Sequence, residues 1–227
     1  GDDKEGRFLI ELLKKQEIGT DRVFIVPSYM TPCKTRVIGR GSLPQHIVRI
    51  DKERPGLSLS KNIEKRIIKR IQGEIDGFDL IVMSDYAKGS ITSEIARFII
   101  KTANLRKKKV IVDTKPSNFN FYRRAYLIAP NLKEAFEITG VNDLIKAGKI
   151  MQKLADSNVL ITKGGEGMTI FQKNKTVNLR TKERKVFDPV GAGDTAMAGL
   201  ALSLAVGASL GDAAYIANHA AGISVTK

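Results

Sequence analysis

From residue 63 onward the apolar positions fall into short blocks whose spacing switches between two periods. Residues 63–75 carry apolar side chains at helical spacing, Leu80-Ile81-Val82-Met83 is a continuous apolar run, and 91–102 returns to the helical period. The alternation continues with predicted strands at 110–113 and 126–129, helices at 133–139 and 143–154, and strands at 159–162 and 168–172. Uninterrupted runs such as 80–83 suit strands buried on both faces. Strands alternating with helices predict a parallel sheet covered by helices on both sides, with ligands at the carboxyl ends of the strands. Upstream, residues 7–16 place Phe8, Leu9, Leu12 and Leu13 on one helical face, with Asp2 or Asp3 to cap it. Residues 23–26 read as a strand, and 35–50 as a hairpin around Gly39-Arg40-Gly41-Ser42-Leu43-Pro44.

Composition narrows the class. A chain of 227 residues with 42% hydrophobic and 27% charged residues can build one α/β domain around its own core. Cys33 is the only cysteine, which excludes a disulfide framework and predicts a reducing compartment. No apolar run is long enough to span a bilayer, so the expected location is cytoplasmic with no membrane partner. A net charge of +14 invites a nucleic-acid reading. Against it, the basic residues are scattered, Trp is absent and aromatics are 6%, which leaves no base-stacking platform. The densest cluster, Arg106-Lys107-Lys108-Lys109, reads as a solvated helix end. No nucleic-acid partner is expected, and anionic small substrates account for part of the charge.

Chemistry concentrates in Gly191-Ala192-Gly193-Asp194, which opens into the small-residue run 196–206. A glycine-rich turn feeding a helix leaves backbone N–H groups aimed at an anion. A carboxylate there is unfavourable unless it is wanted as a base for a hydroxyl attacking phosphorus. Asp before Thr at a helix start is also a common N-cap, and spacing leaves the two roles open.

Other clusters stand at predicted strand ends. Asn131 and Glu134 have the spacing of an N-terminal capping pair. Thr162-Lys163-Gly164-Gly165-Glu166-Gly167 makes a tight turn that could be a plain hairpin into 168–172. Lys115, in Asp113-Thr114-Lys115-Pro116, could reach a phosphate as a point charge. In Ser84-Asp85-Tyr86-Ala87-Lys88-Gly89, Asp85 and Lys88 could pair or hold a loop. Lys34, Arg36, Arg40 and Arg49 on the hairpin could meet a sugar phosphate or simply solvate it.

Taken in order, these motifs resemble the ribokinase-like (PfkB) sugar kinases. The resemblance implies a three-layer α/β/α fold with a mostly parallel sheet and a small β lid at about 31–52. It makes Asp194 the catalytic base and Gly191, Ala192 and Gly193 the anion hole. Asn131 and Glu134 would hold hydrated magnesium and the nucleotide phosphates, Thr162, Gly164 and Gly167 the ribose and phosphates, and Asn218 would face adenine. Lys115 would meet the transferring phosphate, and Asp188 matches a monovalent-cation site. The implied ligands are ATP, Mg2+ and a phosphorylated sugar, with a homodimer formed through the lid. Ser84 to Gly89 and the hairpin pattern are similar to bacterial heptose 7-phosphate kinases, which phosphorylate the anomeric hydroxyl in ADP-heptose synthesis. Gly1-Asp2-Asp3-Lys4-Glu5-Gly6 resembles a family segment that follows a first strand and a Gly-Gly-Ala-Asn stretch, so the chain is expected to lack an amino-terminal portion. The alternatives are a ribose, fructose or nucleoside kinase, or a nucleotide-binding chain without turnover.

Overall fold

A computed structural model describes residues 1–39, 45–54, 56, 58–181 and 190–226, with the side chains of residues 45 and 46 set aside. The chain forms two compact units. The larger comprises 68–87 and 91–227, the smaller 1–67 and 88–90.

The larger unit is built on a six-stranded sheet. Strands β3 (Leu80–Ser84), β4 (Lys109–Asp113), β5 (Leu127–Ile128), β6 (Asn158–Thr162), β7 (Met168–Gln172) and β8 (Lys175–Leu179) lie side by side in chain order. Pairs from β3 to β6 are parallel, and β7 and β8 join antiparallel. Helices α3 (Ser93–Leu105), α4 (Leu132–Thr139), α5 (Leu144–Ala155), α6 (Ala192–Ala205) and α7 (Leu210–Ser224) flank the sheet. Most start at a side-chain cap. Thr92 accepts from the Ile95 N–H at 3.2 Å, Asp143 from Lys146 at 2.7 Å and Ser209 from Asp212 at 3.2 Å.

Strand alternation sorts the core into two layers. Ile111, Leu127, Leu160 and Ile170 pack with Leu200, Leu204, Ala213 and Ala217 of α6 and α7. The intervening positions, among them Val112, Ile128, Ile161 and Phe171, face the opposite way and are buried as well. Gly148 of α5 belongs to that second layer, because a Cβ there would lie 2.3 Å from the Phe171 ring. Small residues let α6 and α7 approach closely: a Cβ added at Gly199 would lie 3.4 Å from the Ala217 Cα.

Two expectations about strands need correction. β3 is not buried on both faces, since Val82 is 45% exposed; among the described residues it is the end strand of the sheet, paired with β4. In the smaller unit, residues 23–26 form no strand, having no ladder partner among the described residues.

That unit holds α1 (Lys4–Lys15) and the antiparallel hairpin of β1 (Cys33–Gly39) and β2 (Gln45–Lys52). Asp3 caps α1 through the Gly6 N–H at 2.8 Å and also accepts from Thr31 N–H at 2.8 Å. Its bonds to Thr31, then to Gly6, hold its carboxyl down at about 2. Helix α2 (Lys61–Glu74) begins in this unit and ends in the larger one. No helix among the described residues is long and apolar enough to cross a membrane.

Candidate active site

The parallel strands deliver polar residues to one end of the larger unit. Ser84 and Asp113 are register partners at the carboxyl ends of β3 and β4, and Asn131, past β5, bridges Thr162 at the end of β6. There, Asp113, Lys115, Asn131, Glu134, Thr162 and Gly193 help line a cavity of about 190 Å³. Typical ligand pockets are about 300–1,000 Å³, so this one suits the phosphate-bearing end of a ligand rather than a whole nucleotide.

Helix α6 enters at the cavity rim. Its N-cap is Gly191, left-handed at φ 82°, and no side chain caps the helix. The first helical bond runs from Thr195 N–H to the Gly191 carbonyl at 2.9 Å, so the N–H groups of Ala192, Gly193 and Asp194 have no intrahelical acceptor. Asp194 lies inside the first turn and is exposed, which overturns its reading as the cap: the helix starts three residues earlier. Its Oδ1 accepts a hydrogen bond from the Tyr86 hydroxyl at 3.3 Å.

The capping reading of Asn131 and Glu134 is realised in full. Asn131 Oδ1 accepts from the Glu134 N–H at 2.9 Å, and Glu134 Oε2 accepts from the Asn131 N–H at 3.0 Å. The remaining oxygen of Glu134 takes Lys115 Nζ at 2.5 Å. Burial works to lower the Lys115 ammonium, but its bond to Glu134 and the charge of that carboxylate leave it raised. Among the described residues no group of three His, Cys, Asp or Glu side chains could hold a metal directly.

Asp113 was not singled out from sequence, yet it is the most perturbed carboxyl here, pushed up to about 6. Burial is the main cause; Lys115 opposes it, while Glu134, Asp194 and Asp85 add to it. An acidic residue closing an apolar strand was the available signal.

Of the two readings of the Ser84–Gly89 turn, a pair or a held loop, Asp85 takes the second. Asp85 is 2% exposed. Its Oδ2 accepts from Asn118 Nδ2 at 2.7 Å and from the Tyr122 hydroxyl, and its Oδ1 from the Ala87 N–H at 2.8 Å. Within the smaller unit Lys88 pairs with Glu53 at 2.6 Å. Lys34 pairs with Asp51 at 3.1 Å and Arg49 with Asp51 at 2.9 Å, so these hairpin cations have carboxylate partners; Arg40 lies outside the described residues.

The glycine-rich turn is the hairpin between β6 and β7. Gly164 has φ +57° with open space around it. Gly167 has φ +91°, and a Cβ there would lie 2.0 Å from the Leu179 carbonyl oxygen. Neither glycine lines the cavity. Asn218 is buried, its Oδ1 accepting from Thr181 Oγ1 at 2.9 Å and its Nδ2 donating to the Arg180 carbonyl at 3.0 Å. It thus ties α7 to the segment after β8, and its neighbour Ala217 is the one lining the cavity. Asp188 falls outside the described residues.

Known proteins match this chain throughout. The pfkB family carbohydrate kinase profile covers residues 1–227. The bifunctional protein HldE of Trichlorobacter lovleyi is 41% identical over 236 residues, covering 100% of this chain and 47% of that protein. HldE of Pelobacter propionicus is 37% identical over 234 residues, with the same coverage. The chain spans about half the length of these curated relatives. Among solved structures, the ribokinase of Thermotoga maritima superposes with TM-score 0.73 at 22% identity, over 100% of this chain and 73% of its own. Arabidopsis thaliana ribokinase complexed with ribose and ATP gives 0.74 at 21%, over 100% and 74%. At that identity these neighbours speak to the fold, which is ribokinase-like.

Proposed function

Because this chain belongs to the pfkB family of carbohydrate kinases, we propose that it transfers the γ-phosphate of ATP, with magnesium, to a sugar hydroxyl. The observation that carries this reading is that a carboxylate and an uncapped helix start share one turn, Gly191 to Asp194, whose Gly193 lines the cavity that holds Lys115. Asp194 takes the acceptor's proton as its oxygen bonds to phosphorus and the bond from phosphorus to the ADP oxygen breaks. The N–H groups of Ala192, Gly193 and Asp194 stabilise the charge on the transferring group, and Lys115 leaves Glu134 to meet it. Magnesium supplies shielding of the phosphate charge. Asn131 and Glu134 would hold it through its bound water; among the described residues no three His, Cys, Asp or Glu side chains gather to ligate it directly.

The acceptor we propose is a heptose 7-phosphate, phosphorylated at the anomeric hydroxyl for ADP-heptose synthesis. Support comes from the Ser84–Gly89 turn and the hairpin, which resemble heptose 7-phosphate kinases, and from the HldE relatives. Exposed Ile47, Val48 and Ile50 on β2 are in keeping with a homodimer through the hairpin, which sedimentation would test. A radiolabelled ATP panel with heptose 7-phosphate, ribose, fructose and a nucleoside tests the acceptor. Transfer to ribose or fructose but not to the heptose would refute it. Calorimetry showing tight Mg-ATP binding with no transfer to any acceptor would refute the kinase reading itself.

A further inference from the structure

We propose that Tyr86 is a positioning residue of this site, which orients the Asp194 carboxylate by a hydrogen bond, and that buried Asp85 is the anchor that delivers it. The proposal rests on the kinase reading of Asp194.

The geometry is a chain of contacts within the larger unit. Tyr86 donates to Asp194 Oδ1 at 3.3 Å across a sequence separation of 108 residues. That bond occupies one carboxylate oxygen and leaves Oδ2 for the acceptor's proton. Tyr86 is 51% exposed, so packing alone does not hold its ring. The backbone holds it instead. On one side Ser84 is locked into β3 opposite Asp113, and the Asp85 N–H donates to the Asp113 carbonyl at 2.8 Å. On the other side Ala87 is fixed in a left-handed conformation at φ 55°, with its N–H on Asp85 Oδ1. A non-glycine residue there is strained by about 1–3 kcal/mol and persists only where its surroundings impose it.

Asp85 is what imposes it. Its side chain is buried at 2% exposure and accepts from Asn118, Tyr122 and Ala87. Tyr122 is fully buried, and its phenol stands far above the ordinary value through burial and then its bond to Asp85, so it serves as a fixed donor. A buried carboxylate with three donors, one of them the turn's own Ala87 N–H, is placed to set the turn. The Tyr86 phenol is raised by burial first and by Asp194 next, with Ser84 opposing, which keeps it a donor at neutral pH.

Two measurements test this. With 13Cζ-labelled tyrosine, the Tyr86 resonance is assigned by its loss in Tyr86→Phe. It is expected to shift at neutral pH in Asp194→Asn, where the charged acceptor is gone; an unmoved resonance overturns the contact. In kinetics, Tyr86→Phe is expected to lower kcat about tenfold or more with the KM for ATP unchanged, the size of a lost hydrogen bond to a charged group. Asp85→Asn is expected to lower kcat as well, and the double variant to be no slower than the slower single one, because both act through the same carboxylate. Full kcat in Tyr86→Phe, or additive losses in the double variant, would overturn the positioning role while leaving the kinase reading intact. If the wild-type chain phosphorylates no acceptor, the kinase reading fails, and the resonance comparison still decides whether the Tyr86–Asp194 bond exists.

Discussion

Replacing Asp113 with Asn should make the protein more stable at alkaline pH and leave it unchanged in acid. The Asp113 carboxyl is pushed up to about 6 from an ordinary 3.8, chiefly by burial. A group that binds its proton more tightly when folded makes stability fall as pH rises through that interval. Below 3.8 both states are protonated and there is no effect; above about 6 the folded chain carries the full penalty of a buried charge. The interval is about two pH units, at about 1.4 kcal/mol for each tenfold change in proton affinity, so the penalty is about 2–3 kcal/mol. Asn keeps the shape, carries no charge and leaves the main-chain bond from Asp85 to residue 113 in place. Urea unfolding of both proteins at pH 4 and pH 8 measures it. The expected result is a gain of only about 0.5 kcal/mol in the variant at pH 4 and of about 2–3 kcal/mol at pH 8. A difference that is the same at both pH values, or a less stable variant at pH 8, would refute burial as the dominant influence on Asp113.

Lys115→Met removes the charge that opposes burial at Asp113, so the Asp113 titration followed by carboxyl 13C NMR should move above about 6. Gly167→Ala should cost roughly 2–4 kcal/mol in thermal unfolding, since φ is +91° and the Leu179 carbonyl oxygen lies 2.0 Å from the new carbon. Asn218→Ala strands the Thr181 hydroxyl and the Arg180 carbonyl and should cost about 1–3 kcal/mol. If Asn218 also meets adenine, the KM for ATP rises in the same variant; an unchanged KM confines it to structure.

Local pattern and long-range contact were unequally legible in the sequence. Strands such as β4 and β6 announce themselves because their buried residues are consecutive and apolar, and α4 because its cap and the first-turn glutamate are three residues apart. β8 escaped notice: Lys175, Thr176 and Asn178 face solvent at the sheet's far edge, which leaves Val177 and Leu179 as its apolar signal. The stretch 23–26 erred the other way, because β-branched residues favour an extended chain but cannot supply a neighbouring strand. At the site, the glycine turn and Asp194 are adjacent in sequence and were visible together. Asp85 with Tyr122, Tyr86 with Asp194 and Asn218 with Thr181 join residues 37 to 108 positions apart, and no spacing rule encodes them. The perturbed state of Asp113 depends on burial beside three other carboxylates, which only the folded chain assembles.

The reciprocal bonds of Asn131 and Glu134 make one carboxylate answerable to two tasks, starting a helix and restraining a cationic neighbour. Any mutational survey scored by product formation alone would confuse the two at these positions, counting misfolded protein as broken chemistry. Redesign of this pocket is therefore better begun elsewhere along its lining, where a side chain has a single allegiance.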